Sequence, residues 1–223
     1  MAERVKKNLV LGYSPYEYPG SISPFDVVFQ SSKDVKKEGF TDIDCFILWG
    51  GKDIHPSLYH QKPHRLNQAS DVMSERDVFE HKAVLYCKKN NIPMIGVCRG
   101  AQLLCAEAGG SVIQHVMGHG YDHEIDTIKN KRFKTTSVHH QMMNPYSIKH
   151  TLIAWADLPR STKYEGENGK DVDSMYTEHE PEIVYFPQLN GLAIQGHPEY
   201  FHASKDFVDF CNSCILEYLF VKG

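Results

Sequence analysis

The sequence has no long hydrophobic run and no cluster of basic residues. None of its apolar stretches approaches the ~20 residues that a membrane-spanning helix needs. The apolar run near the N-terminus, Leu9–Tyr13, is too short for a signal peptide. The formal net charge is −4, and lysines and arginines form no block of the kind that binds nucleic acids. We therefore expect a cytoplasmic protein that binds neither a membrane nor a nucleic acid.

Cysteine is too sparse for a disulfide scaffold, with six in 223 residues. A chain of this length buries roughly 70–75% of its unfolded surface, so it needs no disulfide bond or structural metal ion to stabilise its fold. We expect reduced thiols and a single domain over residues 1–223.

Short apolar runs alternate with helical patterns, which predicts an α/β fold with a mainly parallel sheet flanked by helices. Helices are predicted from Ser70 to Asn90, with a capping box of Ser74 and Asp77, from Arg99 to Gly109, and over Ala203–Phe220. The C-terminal half favours antiparallel additions to the sheet. The predicted strands are Asn8–Tyr13, Asp44–Gly50, Pro93–Val97, Ser111–Val116, Thr151–Ala156, Glu182–Pro187 and Gly191–Gly196.

A cysteine stands at an abrupt junction between a strand and a helix. The segment Gly96–Gly100 has the form G-x-C-x-G, a nucleophile elbow with sulfur in place of the serine oxygen. Glycines are needed there because the strand and the helix crowd together. The helix that begins at Arg99 points its unpaired N–H groups at the sulfur, which favours the thiolate form and offers an oxyanion donor. The alternative for Cys98 is a buried packing cysteine, a common fate of free cysteines.

The other thiols have core settings. Cys105 lies among apolar residues of the helix that follows Cys98. Cys211 and Cys214 form a C-x-x-C pair, but they fall within the apolar face of the last helix. Core packing is therefore predicted for them rather than redox or metal chemistry.

A thiol nucleophile needs a base and a group that orients the base. His197 follows an apolar strand, and Glu199 comes two residues later, where side chains of an extended segment point the same way. The carboxyl ends of parallel strands meet at one edge of a sheet, so His197 and Cys98 are predicted to lie together. An ordinary surface turn is the alternative for this segment.

These motifs resemble class I glutamine amidotransferases, and within them the γ-glutamyl hydrolase branch, peptidase family C26. Cys98, Gly100 and Gln102 match the nucleophile motif C-x-G-x-Q. The segment Leu48–Tyr59 is similar to the family's loop with two adjacent glycines, and Ser74–Asp77 resembles the start of its helix. The resemblance covers about residues 44–200 and implies the flavodoxin-like fold of this class.

The resemblance also implies roles for individual residues and no requirement for a metal or an organic cofactor. The implied residues are the triad Cys98, His197 and Glu199, the oxyanion donors Gly51 and Arg99, and the substrate-side residues Gln102, Ser137, His139 and Gln141.

Arg99 follows the nucleophile where ammonia-donating subunits usually have leucine, which favours the hydrolase branch. The predicted function is therefore cysteine-dependent hydrolysis of the γ-glutamyl amide bond of a small molecule, either glutamine or a γ-glutamyl amine. One alternative is a glutaminase subunit that delivers ammonia to a separate synthetase. Another is a non-catalytic binding or scaffold protein on the same fold.

Some positions depart from the family pattern. Trp49 replaces a proline, and Gly196 replaces an aromatic residue, so we expect a reshaped pocket for the leaving amine. The proline-rich segment 12–30 does not have the pattern of the family's first helix. His115, His119 and His123 have a four-residue spacing that suits metal ligands on a helix, but Gly118 and Gly120 break a helix there, so no metal site is predicted.

Overall fold

A computed structural model describes residues 6–11, 26–30, 44–172 and 179–220. Three α-helices are described, α1 (Glu75–Asn90), α2 (Arg99–Glu107) and α3 (Lys205–Ile215), the last continued by a π-helical turn at Leu216–Phe220. Two short 3₁₀ turns lie at Pro56–Tyr59 and Glu167–Gly169. The strands are β1 (Lys6–Leu11), β2 (Asp26–Gln30), β3 (Cys45–Leu48), β4 (Met94–Val97), β5 (Ser111–Ile113), β6 (His115–Val116), β7 (His123–Thr127), β8 (Arg132–Thr135), β9 (Met142–Asn144), β10 (Thr151–Ala156), β11 (Tyr164–Glu165), β12 (Pro181–Phe186) and β13 (Gly191–Ile194).

Nine of these strands form the main sheet, in the order β2-β1-β3-β4-β13-β12-β10-β7-β8. The pairs from β2 to β13 are parallel, whereas those from β13 to β8 are antiparallel. The predicted fold class, a mainly parallel α/β sheet with antiparallel additions, is therefore confirmed. Two small antiparallel sheets, β11–β6 and β5–β9, accompany the main one.

The main sheet carries a hydrophobic core on each face. In β3, Phe46 and Leu48 belong to the cluster formed with α1 and α2, whereas Cys45 and Ile47 belong to the cluster formed with α3. This alternation follows from the two-residue period of a strand. All four residues of β3 are buried, as expected for a parallel strand covered on both faces.

The helix boundaries follow the predicted sequence signals. Ser74 caps α1, its hydroxyl accepts from the N–H of Asp77, and the Asp77 carboxylate accepts in return from the backbone N–H of Ser74, which confirms the capping box. Asn91 ends the helix in a left-handed conformation (φ 52°). Cys105, Cys211 and Cys214 are buried in the two cores, as predicted.

Several features differ from the predicted elements. The single strand predicted over Ser111–Val116 is two short strands, interrupted by Gln114. The Gln114 side-chain amide is fully buried and forms hydrogen bonds with His64 N and Lys62 O, so it binds the backbone of a neighbouring loop. The hairpin β7–β8 was not predicted, and most of the unusual segment 12–30 lies outside the described residues.

The prediction of a single domain over residues 1–223 stays a prediction. Within the part of the chain that the structure describes, no helix combines the length and apolar character that a membrane span requires.

Candidate active site

Cys98 occupies a sharp turn between β4 and α2. Its backbone has φ 52° and ψ −108°, a conformation that costs an ordinary L-residue energy. Its N–H donates to the carbonyl of Ile194 at 2.8 Å, which ties the turn to the end of β13. Such strain at a turn between a buried strand and a helix is the geometry of a nucleophile elbow.

The glycines on either side of this turn are required by packing. A Cβ atom at Gly96 would lie 2.4 Å from the carbonyl oxygen of Gly100, and one at Gly100 would lie 2.1 Å from that of Leu48. Both distances are far below van der Waals contact. The strand, the helix and β3 therefore approach as closely as the G-x-C-x-G pattern predicts.

His197 and Glu199 lie together, just beyond the end of β13. The Nδ1 atom of His197 is 2.7 Å from Oε1 of Glu199, and the His197 side chain is 6% exposed. The pair forms in a turn after the strand, in which Tyr200 N donates to His197 O, rather than through strand alternation.

The imidazole also adjoins the thiol. β4 and β13 are parallel neighbours, and Val97 pairs with Ile194. A Cβ atom at Gly50 would lie 2.8 Å from Cε1 of His197 and 3.6 Å from Cβ of Cys98. The loop with two glycines, the thiol and the imidazole therefore meet at one edge of the sheet, where ligands bind in open α/β folds.

The charge state of His197 depends on its neighbours. Burial lowers the pKa of the imidazole, but its contacts with Cys98 and Glu199 outweigh burial and raise the pKa to about 10. His197 is therefore held protonated beside the sulfur at neutral pH. The ring of Tyr200 also stacks on the imidazole, with ring centroids 4.3 Å apart.

The two expected oxyanion donors lie beside this site. The first helical hydrogen bond of α2 runs from Gln102 N to Cys98 O, which leaves the N–H of Arg99 outside the helical pattern. Gly51 has φ 145°, a value that side chains rarely tolerate, and a Cβ atom there would lie 2.5 Å from Nη1 of Arg76. The role of both N–H groups as oxyanion donors stays a prediction.

A buried ion-pair network connects the glycine loop to the nucleophile helix. Arg76 donates to the carbonyls of Trp49 at 2.7 Å and Gly50 at 3.1 Å, and it pairs with Glu80 at 3.0 Å. The Arg99 guanidinium pairs with Glu80 and lies 2.5 Å from Asp77. Because Arg99 and Glu80 are almost fully buried, this network fixes the loop relative to α2.

The predicted substrate-side residues are held by internal hydrogen bonds. Gln102 donates to the carbonyl of Gln141 at 3.0 Å, and His139 Nδ1 lies 2.8 Å from the same carbonyl. The Ser137 hydroxyl donates to the carbonyl of His119 at 2.5 Å. The side-chain amide of Gln141 is buried without a hydrogen-bond partner among the described residues. The substrate-binding role of these four residues stays a prediction.

Similarity to known proteins identifies the family of this chain. The sequence matches the family profile of peptidase C26 over residues 20–154, more than half of the chain. The chain belongs to the peptidase C26 family. The resemblance to glutamine amidotransferases is thereby confirmed, although the matched range ends before His197 and Glu199.

Individual relatives of this C26 protein are matched over shorter segments. It is 36% identical to the protein NtpR of Enterococcus hirae over 46% of this chain and 44% of NtpR. It is 40% identical to a glutamine amidotransferase-like protein of Lactococcus lactis over 32% of this chain and 37% of that protein. It is 41% identical to the carbamoyl phosphate synthase small chain of Buchnera aphidicola over 26% of this chain and 15% of that protein. The chain thus spans less than half the length of these curated relatives.

Solved structures share the fold across most of the C26 chain. The glutaminase domain of Trypanosoma brucei CTPS with bound acivicin has a TM-score of 0.55 and 14% identity, covering 96% of this chain and 93% of that one. A glutamine amidotransferase of Thermotoga maritima has a TM-score of 0.55 and 13% identity, covering 88% and 77%.

The departures of this C26 protein from the family pattern occupy buried positions. A Cβ atom at Gly196 would lie 2.3 Å from Oγ1 of Thr135 and 2.7 Å from the carbonyl oxygen of Thr136. The side-chain direction at Gly196 is therefore occupied by Thr135 and Thr136, and the expected reshaping of the leaving-amine pocket stays a prediction. Trp49 is buried in the core cluster formed with α3.

Sequence reasoning missed three residues that support the site. Arg76 lies in the Ser74–Asp77 segment but had no signal for its contacts with the glycine loop. Thr136 contacts His197 from a distant segment, and no sequence signal indicated this contact. Tyr200 stacks on His197 from three residues away, so only its closeness in the sequence could have indicated it.

Proposed function

We propose that this chain hydrolyses the γ-glutamyl amide bond of a small molecule, through a glutamyl thioester on Cys98. The observation that carries the proposal is the meeting of Cys98, His197 and Glu199 beside the Gly50–Gly51 loop. Membership of the C26 family supports hydrolase chemistry. The proposed unit is a single amidotransferase-like domain over residues 1–223.

The first half-reaction forms the thioester. The Cys98 sulfur attacks the γ-carbonyl carbon, and the N–H groups of Gly51 and Arg99 stabilise the oxyanion. The His197 imidazolium gives its proton to the departing nitrogen as the C–N bond breaks. The products are a free amine, or ammonia from glutamine, and a γ-glutamyl thioester.

The second half-reaction releases glutamate. The neutral His197 formed in the first step takes a proton from water, which attacks the thioester carbon. The C–S bond breaks and restores the thiolate and the imidazolium. Glu199 keeps the imidazole in the orientation that both steps need, as the carboxylate of a triad does.

A cavity beside the glycine loop is the candidate site for the leaving amine. The cavity has a volume of about 380 Å³ and adjoins the glycine loop on the side of Arg76 and Arg99. Lysine, aspartate and serine side chains also line it.

A product assay tests the proposal. The purified chain is incubated with a panel of γ-glutamyl amides, glutamine included, and free glutamate and amine are measured. We expect turnover of at least one γ-glutamyl amine. A diazo-ketone analogue of glutamine, which needs only the glutamyl half of the site, should label Cys98 covalently.

Labelling by a general thiol reagent separates the alternatives. If that reagent modifies Cys98 and the glutamine analogue does not, the site does not accept a γ-glutamyl group. The proposal would then be wrong, and the non-catalytic binding protein would be favoured.

A glutaminase subunit is the second candidate. Tyr121, Val138 and Phe201 are exposed apolar residues on loops that meet at Asp122, whose carboxylate accepts from Ser137 N and lies 3.9 Å from His202 Nε2. Such residues could contact a synthetase, and the carbamoyl phosphate synthase small chain is among the relatives. Slow turnover of glutamine alone, with no turnover of other γ-glutamyl amides, would favour this candidate.

A further inference from the structure

Three histidines converge on one buried carboxylate next to the substrate-side loop. The Oε1 atom of Glu182 in β12 lies 2.8 Å from His123 Nε2, 3.4 Å from His119 Nδ1 and 3.9 Å from His139 Nε2. All four side chains are at most 5% exposed. They come from distant segments of the chain, so sequence spacing alone did not predict their meeting.

The other nitrogen of each ring faces an acceptor. His123 Nδ1 lies 3.0 Å from the carbonyl of Tyr121, and His139 Nδ1 lies 2.8 Å from that of Gln141. A carbonyl only accepts, so each of these nitrogens carries the proton. The second nitrogen of each ring, which faces Glu182, can then hold either a second proton or a metal ion.

His119 is oriented by a second carboxylate. Its Nε2 atom lies 3.0 Å from Oε2 of Glu180. Glu180 itself accepts from the N–H groups of Arg160 and Ser161 and from the hydroxyl of Tyr164. A carboxylate that contacts the distal nitrogen of a ligating histidine is the usual outer support of a metal site.

Hydrogen bonds within the chain do not satisfy this cluster. His119 Nδ1, His139 Nε2 and Glu182 Oε2 are buried and have no hydrogen-bond partner among the described residues. A divalent cation at this position would offset the negative charge of Glu182 and give His119 Nδ1 and His139 Nε2 a partner.

We propose that His119, His123, His139 and Glu182 bind a divalent transition-metal ion of the zinc type. The ligand atoms of His119, His123 and Glu182 lie within 4.8 Å of one another, and His139 Nε2, 3.9 Å from Glu182, would complete the tetrahedral set that Zn²⁺ takes. Bonds of the usual Zn–N length place ligand atoms about 3.3 Å apart, and the observed separations from Glu182 bracket that value. Four protein ligands and full burial indicate a closed structural site rather than one with a position open to substrate.

The site would fix the loop that borders the nucleophile helix. The carbonyl of Gln141 accepts from both His139 and Gln102 of α2. The carbonyl of Glu182 accepts from Gln195 N at 2.8 Å, two residues before His197. Metal binding therefore connects the loop, the nucleophile helix and the histidine segment, and it does not depend on the proposed reaction.

Metal analysis of the purified full chain tests the site. The protein is prepared without a polyhistidine tag, which would itself bind zinc, and is loaded with Zn²⁺ and exchanged into metal-free buffer. We expect about one zinc ion per chain, measured by inductively coupled plasma mass spectrometry. Loading with Co²⁺ should give the visible absorption of a tetrahedral site.

Matched variants locate the ligands. His139→Gln and Glu182→Gln should lose the bound metal, whereas His140→Gln, on the same loop but 3.3 Å from Asp53, should keep it. Glu180→Gln should weaken zinc binding by about 10–100-fold, as expected for an outer support.

Two results would overturn the proposal. One is a wild-type chain that takes up neither Zn²⁺ nor Co²⁺, which would mean that protons alone hold the cluster. The other is unchanged metal content in both His139→Gln and Glu182→Gln. If those variants do not fold, the Co²⁺ spectrum of the wild-type chain decides the question.

Discussion

The hydroxyl of Thr136 is bonded to both backbone polar groups of His197. Its Oγ1 atom accepts from His197 N at 2.9 Å and donates to His197 O at 2.7 Å. Both residues are buried, so water cannot replace these bonds. Thr136 thereby fixes the backbone from which the imidazole extends toward Cys98, which makes it a positioning residue.

Thr136→Val should remove both hydrogen bonds at nearly constant volume. We expect kcat to fall by on the order of 10²-fold, because small displacements of a reacting group carry that cost. The free energy of unfolding should fall by about 1–3 kcal/mol. Steady-state kinetics and thermal denaturation check both effects.

Thr136→Ser keeps the hydroxyl and is the control for that variant. It should retain most of kcat, and KM should change little in either protein. A valine variant that loses stability but keeps kcat would show that Thr136 has only a structural role.

Glu199→Gln should change both the rate and its pH dependence. The variant keeps the shape of the side chain but removes a charge that raises the pKa of His197. We expect kcat to fall by ~10²–10⁴-fold with little change in KM. An effect confined to KM would contradict the orienting role of Glu199.

The sign of the pH effect follows from the direction of the shift. The pKa of His197 is about 10 in the folded chain and about 6.5 for an unperturbed histidine. Protonation of His197 therefore stabilises the fold fully below about pH 6.5, and this contribution is lost as the pH rises toward 10. The alkaline limb of kcat/KM, where the proton donor is lost, should lie near pH 10 and move to lower pH in Glu199→Gln.

Two substitutions at Cys98 separate chemistry from strain. Cys98→Ala and Cys98→Gly should both abolish turnover, because each lacks the nucleophile. The backbone at φ 52° and ψ −108° strains any residue with a Cβ atom. Glycine relieves about 1–3 kcal/mol of that strain and loses about 0.4–1 kcal/mol through the greater freedom of the unfolded chain.

The glycine variant should therefore be the more stable of the two, by about 1 kcal/mol. Denaturant unfolding measures this difference. Equal stabilities would mean that the elbow is not strained, and substantial activity in either variant would rule out Cys98 as the nucleophile.

Arg76→Lys should detach the glycine loop from α1. Lysine keeps the charge but cannot reproduce the fork that donates to Trp49 O and Gly50 O. If this displaces one oxyanion donor, kcat should fall by up to ~10²–10³-fold. Arg132→Lys, at an exposed ion pair with Asp126, is the matched control and should keep full activity.

The nucleophile elbow could be predicted because its local sequence determines its geometry. Close approach of the strand and the helix leaves no room for side chains at Gly96 and Gly100, and an apolar run marks the buried strand. His197 could be placed near Cys98 because parallel strands align their carboxyl ends. The family resemblance added the chain order of the three predicted triad residues.

Features that depend on distant segments could not be predicted in this way. In β7 the burial alternates regularly, but two of the three buried residues, His123 and Thr127, are polar, so the sequence had no apolar period to mark a strand. The direction of the Cβ position at Gly196 depends on where β8 packs. The family resemblance alone gave His139 a substrate-side role, and its approach to Glu182 of β12 could not be predicted because it depends on tertiary packing.

The position of β13 within the sheet has a consequence for how the protein is made. Met94 in β4 pairs with Gly191 in β13, so the nucleophile strand emerges during synthesis long before its neighbour. Until β13 arrives, the apolar strand β4 is an open sheet edge, which is prone to pair with other chains. The same late segment carries His197 and Glu199. A chain truncated before Gly191 would therefore contain the thiol without its base, and the edge of β4 would stay unpaired. Prematurely terminated products should be inactive and prone to aggregate.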